Sequence, residues 1–145
     1  MAQPQPLRHS SVSATFGVSR TEITPPVGIY SRNWGAARHD TATSIHRPLT
    51  LNALVIQSNE TQLILIDADL GWWRPMSLFQ RFQSRLLTEF SLEPHQLIFA
   101  LTHTHASAPL MNPDPALPGS ELQEEWLETV YQAAVEAIES ALTSS

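Results

Sequence analysis

Apolar and polar positions alternate along the first half of the chain as they do in strands. Residues 15–23 (TFGVSRTEI) alternate up to Thr24-Pro25-Pro26, where two prolines forbid further regular pairing. Residues 49–57 (LTLNALVIQ) and 62–69 (QLILIDAD) predict two more strands, joined by Ser58-Asn59-Glu60-Thr61, turn chemistry of hairpin length. The period then changes. Over 75–90, Met76, Phe79, Leu86, Leu87 and Phe90 fall roughly on one helical face, with Pro75 at a permitted first-turn position. Beyond the break at Ser91-Leu92-Glu93-Pro94, residues 95–102 (HQLIFALT) predict a buried strand. Pro109, Pro113, Pro115 and Pro118 mark 106–119 as a loop. The last segment is the clearest: Leu122, Trp126, Val130, Tyr131, Ala134, Ile138 and Leu142 recur at helical steps, behind an S-x-x-Q capping box of Ser120 and Gln123.

Strand, helix, strand in the middle of the chain predicts two parallel strands joined by a right-handed crossover. Both strands are continuously apolar, as strands buried on two faces are. The fold class is therefore α/β: a mixed sheet with a βαβ unit and helices packed on it. Residues 1–13, polar and Pro-containing, predict a loose tail, and 14–145 a single domain. Residues 27–47 lack periodicity, a long run for a compact domain, and such loops often carry function.

Composition narrows the function. Of 145 residues, 42% are hydrophobic and 15% charged, a globular balance. A net charge of −6, with 8 scattered Lys and Arg, argues against nucleic acid as a partner. Without cysteine there is no thiolate chemistry, and His, Asp, Glu and Tyr remain as metal donors. The N-terminus lacks the apolar core of a signal peptide and no apolar stretch is long enough for a transmembrane segment, so a cytoplasmic location is the default expectation. Nothing indicates an oligomeric state.

In such a sheet, ligands gather at the carboxyl ends of the strands. One predicted strand ends in Asp67-Ala68-Asp69 and the other in His103-Thr104-His105. Residues two apart on a strand share a face, about 7 Å apart at Cα. Two imidazoles so placed can share one zinc ion, or one can bind metal while the other meets substrate or a bound water. They can equally be hydrogen-bonded histidines closing a strand. Asp67 and Asp69 either orient a ligand histidine or are polar residues at a strand end. Arg32 and Arg38 can hold an anionic group or serve as surface charge. His39 and His46 are loop histidines open to metal or substrate binding, and His39-Asp40 lies in the long loop beside Trp34 and Arg38. Trp72-Trp73 either floors an apolar pocket or packs on the sheet edge. No Gly-rich phosphate loop and no G-x-S-x-G elbow occurs.

Several segments, in order, resemble the neutral/alkaline non-lysosomal ceramidase family. Residues 16–28 (FGVSRTEITPPVG) are similar to its opening, with Glu22 in place of Asp. Ile45-His46-Arg47-Pro48-Leu49 is similar to its I-H-x-P-L segment, and Thr102-His103-Thr104-His105 matches its T-H-T-H signature. Residues 30–40 (YSRNWGAARHD) resemble a stretch of its bacterial ceramidase-like branch.

The resemblance implies that the chain is the N-terminal part of a zinc-dependent hydrolase of an amide bond, acting on a small-molecule or lipid amide substrate. It implies His103 as a zinc ligand, His105 as the catalytic neighbour facing substrate, and Gly28 at the mouth of the site; from the residues themselves, Arg38, His39 and His46 are candidate substrate contacts. The family's remaining ligands, a second His, a Glu and a Tyr, come from later in a longer chain, so weak or no activity is expected of this chain alone. One departure concerns substrate: the family's glycines after T-H-T-H are replaced here by Ala106-Ser107-Ala108-Pro109-Leu110. The alternatives are a metal-dependent hydrolase of another ester or amide, and a non-enzymatic binding module of the same fold.

Overall fold

A computed structural model describes residues 11–59 and 61–144. Of the tail expected over 1–13, residues 1–10 lie outside the described residues, and 11–13 are exposed coil. Strands β1 (Thr15–Glu22), β2 (Thr50–Ser58) and β3 (Thr61–Ala68) form an antiparallel meander, with Gly17 opposite Val55 and Leu51 opposite Ala68. A short strand β4 (Trp73–Arg74) and helix α1 (Met76–Glu89) lead to β5 (Leu97–Leu101), which lies parallel to β3 with Phe99 beside Ile66. Strand β6 (Leu110–Met111) pairs in parallel with β4, and helix α2 (Gln123–Thr143) closes the chain. The main sheet has the order β1-β2-β3-β5, so the mixed sheet and its βαβ unit are present as expected.

Strand alternation sends Leu51, Ala53, Val55, Ile64, Ile66 and Ala68 to one face, where they are buried with Val130, Ala134, Ala137, Ile138 and Ala141 of α2. Helix and sheet approach unusually closely at Gly17, where a Cβ would stand 1.7 Å from the Ala141 carbonyl oxygen. Beside it, the Ser19 hydroxyl donates to the Ala137 carbonyl at 2.6 Å, and the Trp126 indole donates to the Ile23 carbonyl at 3.0 Å. Helix α1 enters the same core through rings: Phe82 lies 5.2 Å from Phe99 and 5.6 Å from Tyr131, each pair edge-on. Arg85 clasps α1 to α2, with both guanidinium nitrogens on the Glu128 carboxylate at 2.7 and 2.8 Å and its carbon 3.5 Å from the centre of the Tyr131 ring.

The opposite face is open. Phe16, Val18 and Ile98 are 61%, 69% and 50% exposed, and Asp67 and Ala100 are exposed beside them. The two-sided burial expected of β3 and β5 is therefore corrected: helices cover one side only. Two boundaries also differ. Strand β5 starts at Leu97 because Pro94–Gln96 form a short 3-10 turn, capped reciprocally by Glu93 and Gln96. The capping box expected at Ser120 and Gln123 does not form, because both side chains serve loops: Ser120 pairs with the Asp114 backbone, and the Gln123 amide donates to the Tyr30 carbonyl at 3.0 Å. Among the described residues no helix is long and apolar enough to cross a membrane.

Candidate functional site

The long loop after β1 is irregular in sequence but pinned in structure. Gly28 N–H donates to the Ala42 carbonyl, Ala42 N–H to the Ile29 carbonyl and Ser31 N–H to the Asp40 carbonyl, at 2.8 to 3.0 Å. Arg32 and Asp40 pair at 2.9 Å across its neck. The Pro-rich loop presses on it at Gly119, where φ is +76° and a Cβ would stand 2.0 Å from the Gly28 carbonyl oxygen, so glycine is required. At the loop's tip Trp34 is 54% exposed, while the neighbouring Asn33 turns inward and is 2% exposed.

That tip meets the carboxyl ends of β3 and β5. Past β5 the backbone keeps a loose register with the segment after β3: Thr102 N–H reaches the Ala68 carbonyl at 3.0 Å, and Thr104 N–H the Leu70 carbonyl at 3.2 Å. Between them His103 adopts φ +60°. A residue with a side chain pays of order 1–3 kcal/mol to sit there and does so where surroundings demand it, often at functional sites. The expected strand geometry is thus corrected. Strand β5 ends before the histidines, and the left-handed turn at His103, rather than strand alternation, brings the two rings together.

The imidazoles lie 5.3 Å apart at 67°. Trp72 lies flat on His103 (5.1 Å, 20°) and 5.5 Å from His105, and Trp34 stands edge-on to His105 at 4.7 Å. The His105 Nδ1 is 3.1 Å from the Asn33 backbone oxygen. A carbonyl can only accept, so Nδ1 carries the proton and Nε2 of the neutral ring keeps its lone pair. Orientation of a histidine by a carbonyl on its far nitrogen is the usual support of metal-binding and base histidines. Beside His105 is a hollow of about 370 Å³ whose lining includes Arg32, Asn33, Trp34, Trp72 and Arg74 but not His103.

The tryptophan pair divides by alternation. Trp73 joins Phe79, Phe82 and Phe99 in the core, whereas Trp72 and Arg74 belong to the hollow, with the Arg74 guanidinium carbon 4.3 Å from the Trp72 ring centre. Gly71 permits the arrangement, since a Cβ there would fall 2.4 Å from the Asn33 amide nitrogen. The residues that replace the resembling family's glycines are structural: Ser107, Ala108, Pro109 and Leu110 are all buried and lead into β6.

The other candidates lie elsewhere. The Asp69 carboxylate accepts from Thr50 N–H and Oγ1 at 2.9 and 3.1 Å and so holds the start of β2, and Asp67 is exposed on the open face. Arg38, His39 and His46 are exposed and, like Gly28, do not line the hollow. Gly28, at φ +94°, packs toward Leu122. Asn33 and Arg74 belong to the site although neither stood out in the sequence; the one available signal was the W-x-R spacing of Trp72 and Arg74. As a metal centre the donor set is partial. Two imidazoles would supply at most two of the four donors of a tetrahedral zinc site, and among the described residues no group of three His, Asp or Glu converges.

No protein-family model matches the sequence, and none of the curated proteins matches it. Solved structures do. A crystal structure of neutral ceramidase from Pseudomonas aeruginosa superposes with a TM-score of 0.73 at 20% identity, over 93% of this chain and 22% of that one. A ceramidase complexed with C2 superposes with a TM-score of 0.64 at 21% identity, over 92% and 22%. The chain thus spans 22% of the length of each of these neighbours, and what it shares with them is the fold: it folds as part of a neutral ceramidase does.

Proposed function

We propose that the chain forms part of a zinc-dependent amide hydrolase of the neutral-ceramidase kind, with His103 as a metal ligand and His105 as the neighbour that serves the substrate. The observation that carries this reading is the convergence of the two imidazoles at 5.3 Å, one of them oriented by the Asn33 carbonyl. Zinc, when bound, would supply polarisation of the amide carbonyl and an activated water. This chain's residues would do the rest. His103, stacked on Trp72, would offer a ring nitrogen to the metal. His105, with its proton held on Nδ1, offers Nε2 to take a proton or accept a hydrogen bond. Trp34 and Trp72, both against His105, would give an acyl-amide an apolar wall.

The remaining donors belong to a longer protein in this reading, so the chain alone should turn over slowly. Zinc-supplemented hydrolysis of an N-acyl amide series of increasing acyl length tests it. The expected result is slow release that rises with chain length and falls to background in both His103→Ala and His105→Ala. Release that is unchanged in both variants would discard the hydrolase reading and leave a binding module of this fold.

A further inference from the structure

The hollow beside His105 carries a charge that a neutral substrate does not need. Its lining holds two arginines and no carboxylate, in a chain whose net charge is −6. Arg32 is already compensated by Asp40 at 2.9 Å. Arg74 is not: it has no carboxylate partner among the described residues and rests on Trp72, 4.3 Å from the ring centre. Its backbone is fixed, because β4 pairs with β6, Arg74 opposite Met111. Stacking on an indole holds a guanidinium plane in place while leaving its N–H edge free for a planar or tetrahedral oxyanion. A second unmet group lies alongside. The Asn33 amide, 2% exposed, has no hydrogen-bond partner for either its nitrogen or its oxygen among the described residues, whereas buried polar atoms are nearly always paired.

We propose that this hollow takes the anionic head, a carboxylate or a phosphate, of an acyl-amide. Trp34 and Trp72 flank it and Arg74 is the counter-charge. The proposal rests on the amide-hydrolase reading for the nature of the ligand and names the substrate's charge. The guanidinium fork gives two parallel charge-assisted hydrogen bonds to either oxyanion, and a hydroxyl head can offer neither the charge nor the pair.

Calorimetric binding of three matched probes tests it without turnover: N-hexanoylethanolamine, N-hexanoylglycine and N-hexanoyl-O-phosphoethanolamine. At least one anionic probe should bind about tenfold or more tightly than the neutral one, as charge-assisted bidentate pairing predicts. Which one does identifies the head. The preference should shrink as salt is raised on the unaltered protein and should vanish in Arg74→Gln while the neutral probe's affinity holds. Equal binding of all three probes, or a preference that survives both salt and Arg74→Gln, would overturn the proposal. Loss of hydrolysis with the preference intact would instead remove the hydrolase reading alone.

Discussion

The imidazole of His105 donates from Nδ1 to the backbone carbonyl of Asn33 at 3.1 Å, joining a loop tip to the end of the βαβ unit across 72 residues of sequence. That one contact fixes the ring's rotation, its tautomer and the nitrogen left for chemistry. It also explains Gly71, the residue against which the Asn33 amide packs.

At a pH where His105 is neutral, it should populate the Nδ1–H tautomer. Long-range proton–nitrogen NMR spectra read this directly from the two ring nitrogens. An Nε2–H tautomer would show that the Asn33 contact does not hold in solution. In Gly71→Ala, whose added methyl displaces Asn33, the Nδ1–H preference should weaken.

Gly17→Ala should be among the more damaging small substitutions. The new Cβ would meet backbone, the Ala141 carbonyl oxygen at 1.7 Å, so α2 must shift away from β1. Overpacking of this kind costs about 1–3 kcal/mol, measurable as a lower urea midpoint with an unchanged slope. An unchanged midpoint would mean that helix and strand are not this close.

Glu128 links the α1–α2 clasp to pH. Hydrogen bonds from Arg85, and then from Gln132, lower its carboxyl from an ordinary 4.5 to about 2. A carboxylate depressed on folding stabilises above its unfolded value and ceases to do so as pH falls through the folded one. The stability difference between the native protein and Glu128→Gln should therefore be present above pH 4.5 and disappear toward pH 2. Both partners are 48% exposed, so the difference should be about 0.2–1 kcal/mol and shrink with salt. Denaturant midpoints of the two proteins across that range are the check, and a pH-independent difference would refute the clasp.

The sheet was legible because its signals are local. The apolar runs of β3 and β5, the turn at Asn59 and the helical period of α2 each lie within one segment. The convergence of His103 and His105 was legible as a spacing, but not its cause, because φ +60° is a conformation histidine seldom adopts and no periodicity announces it. Asn33 and Arg74 reach the site through pairings far apart in sequence: Asn33 with His105, and β4 with β6 across the whole of α1 and β5. A two-residue strand has too few positions to show alternation, so Trp72 and Trp73 could not be divided beforehand. The exposed outer face stayed hidden for another reason: Leu63, Leu65 and Ile98 read as buried by composition, and composition does not say whether a covering layer is present.

The central claim is that His103 holds a metal beside His105, and calorimetric zinc titration of the native chain beside His103→Ala, His105→Ala and the double variant tests it most directly. The account predicts one zinc per native chain, an affinity about tenfold or more lower in His103→Ala as expected for loss of a ligand or its support, and the weakest binding in the double variant. Equal zinc affinity in the native chain and the double variant would contradict it.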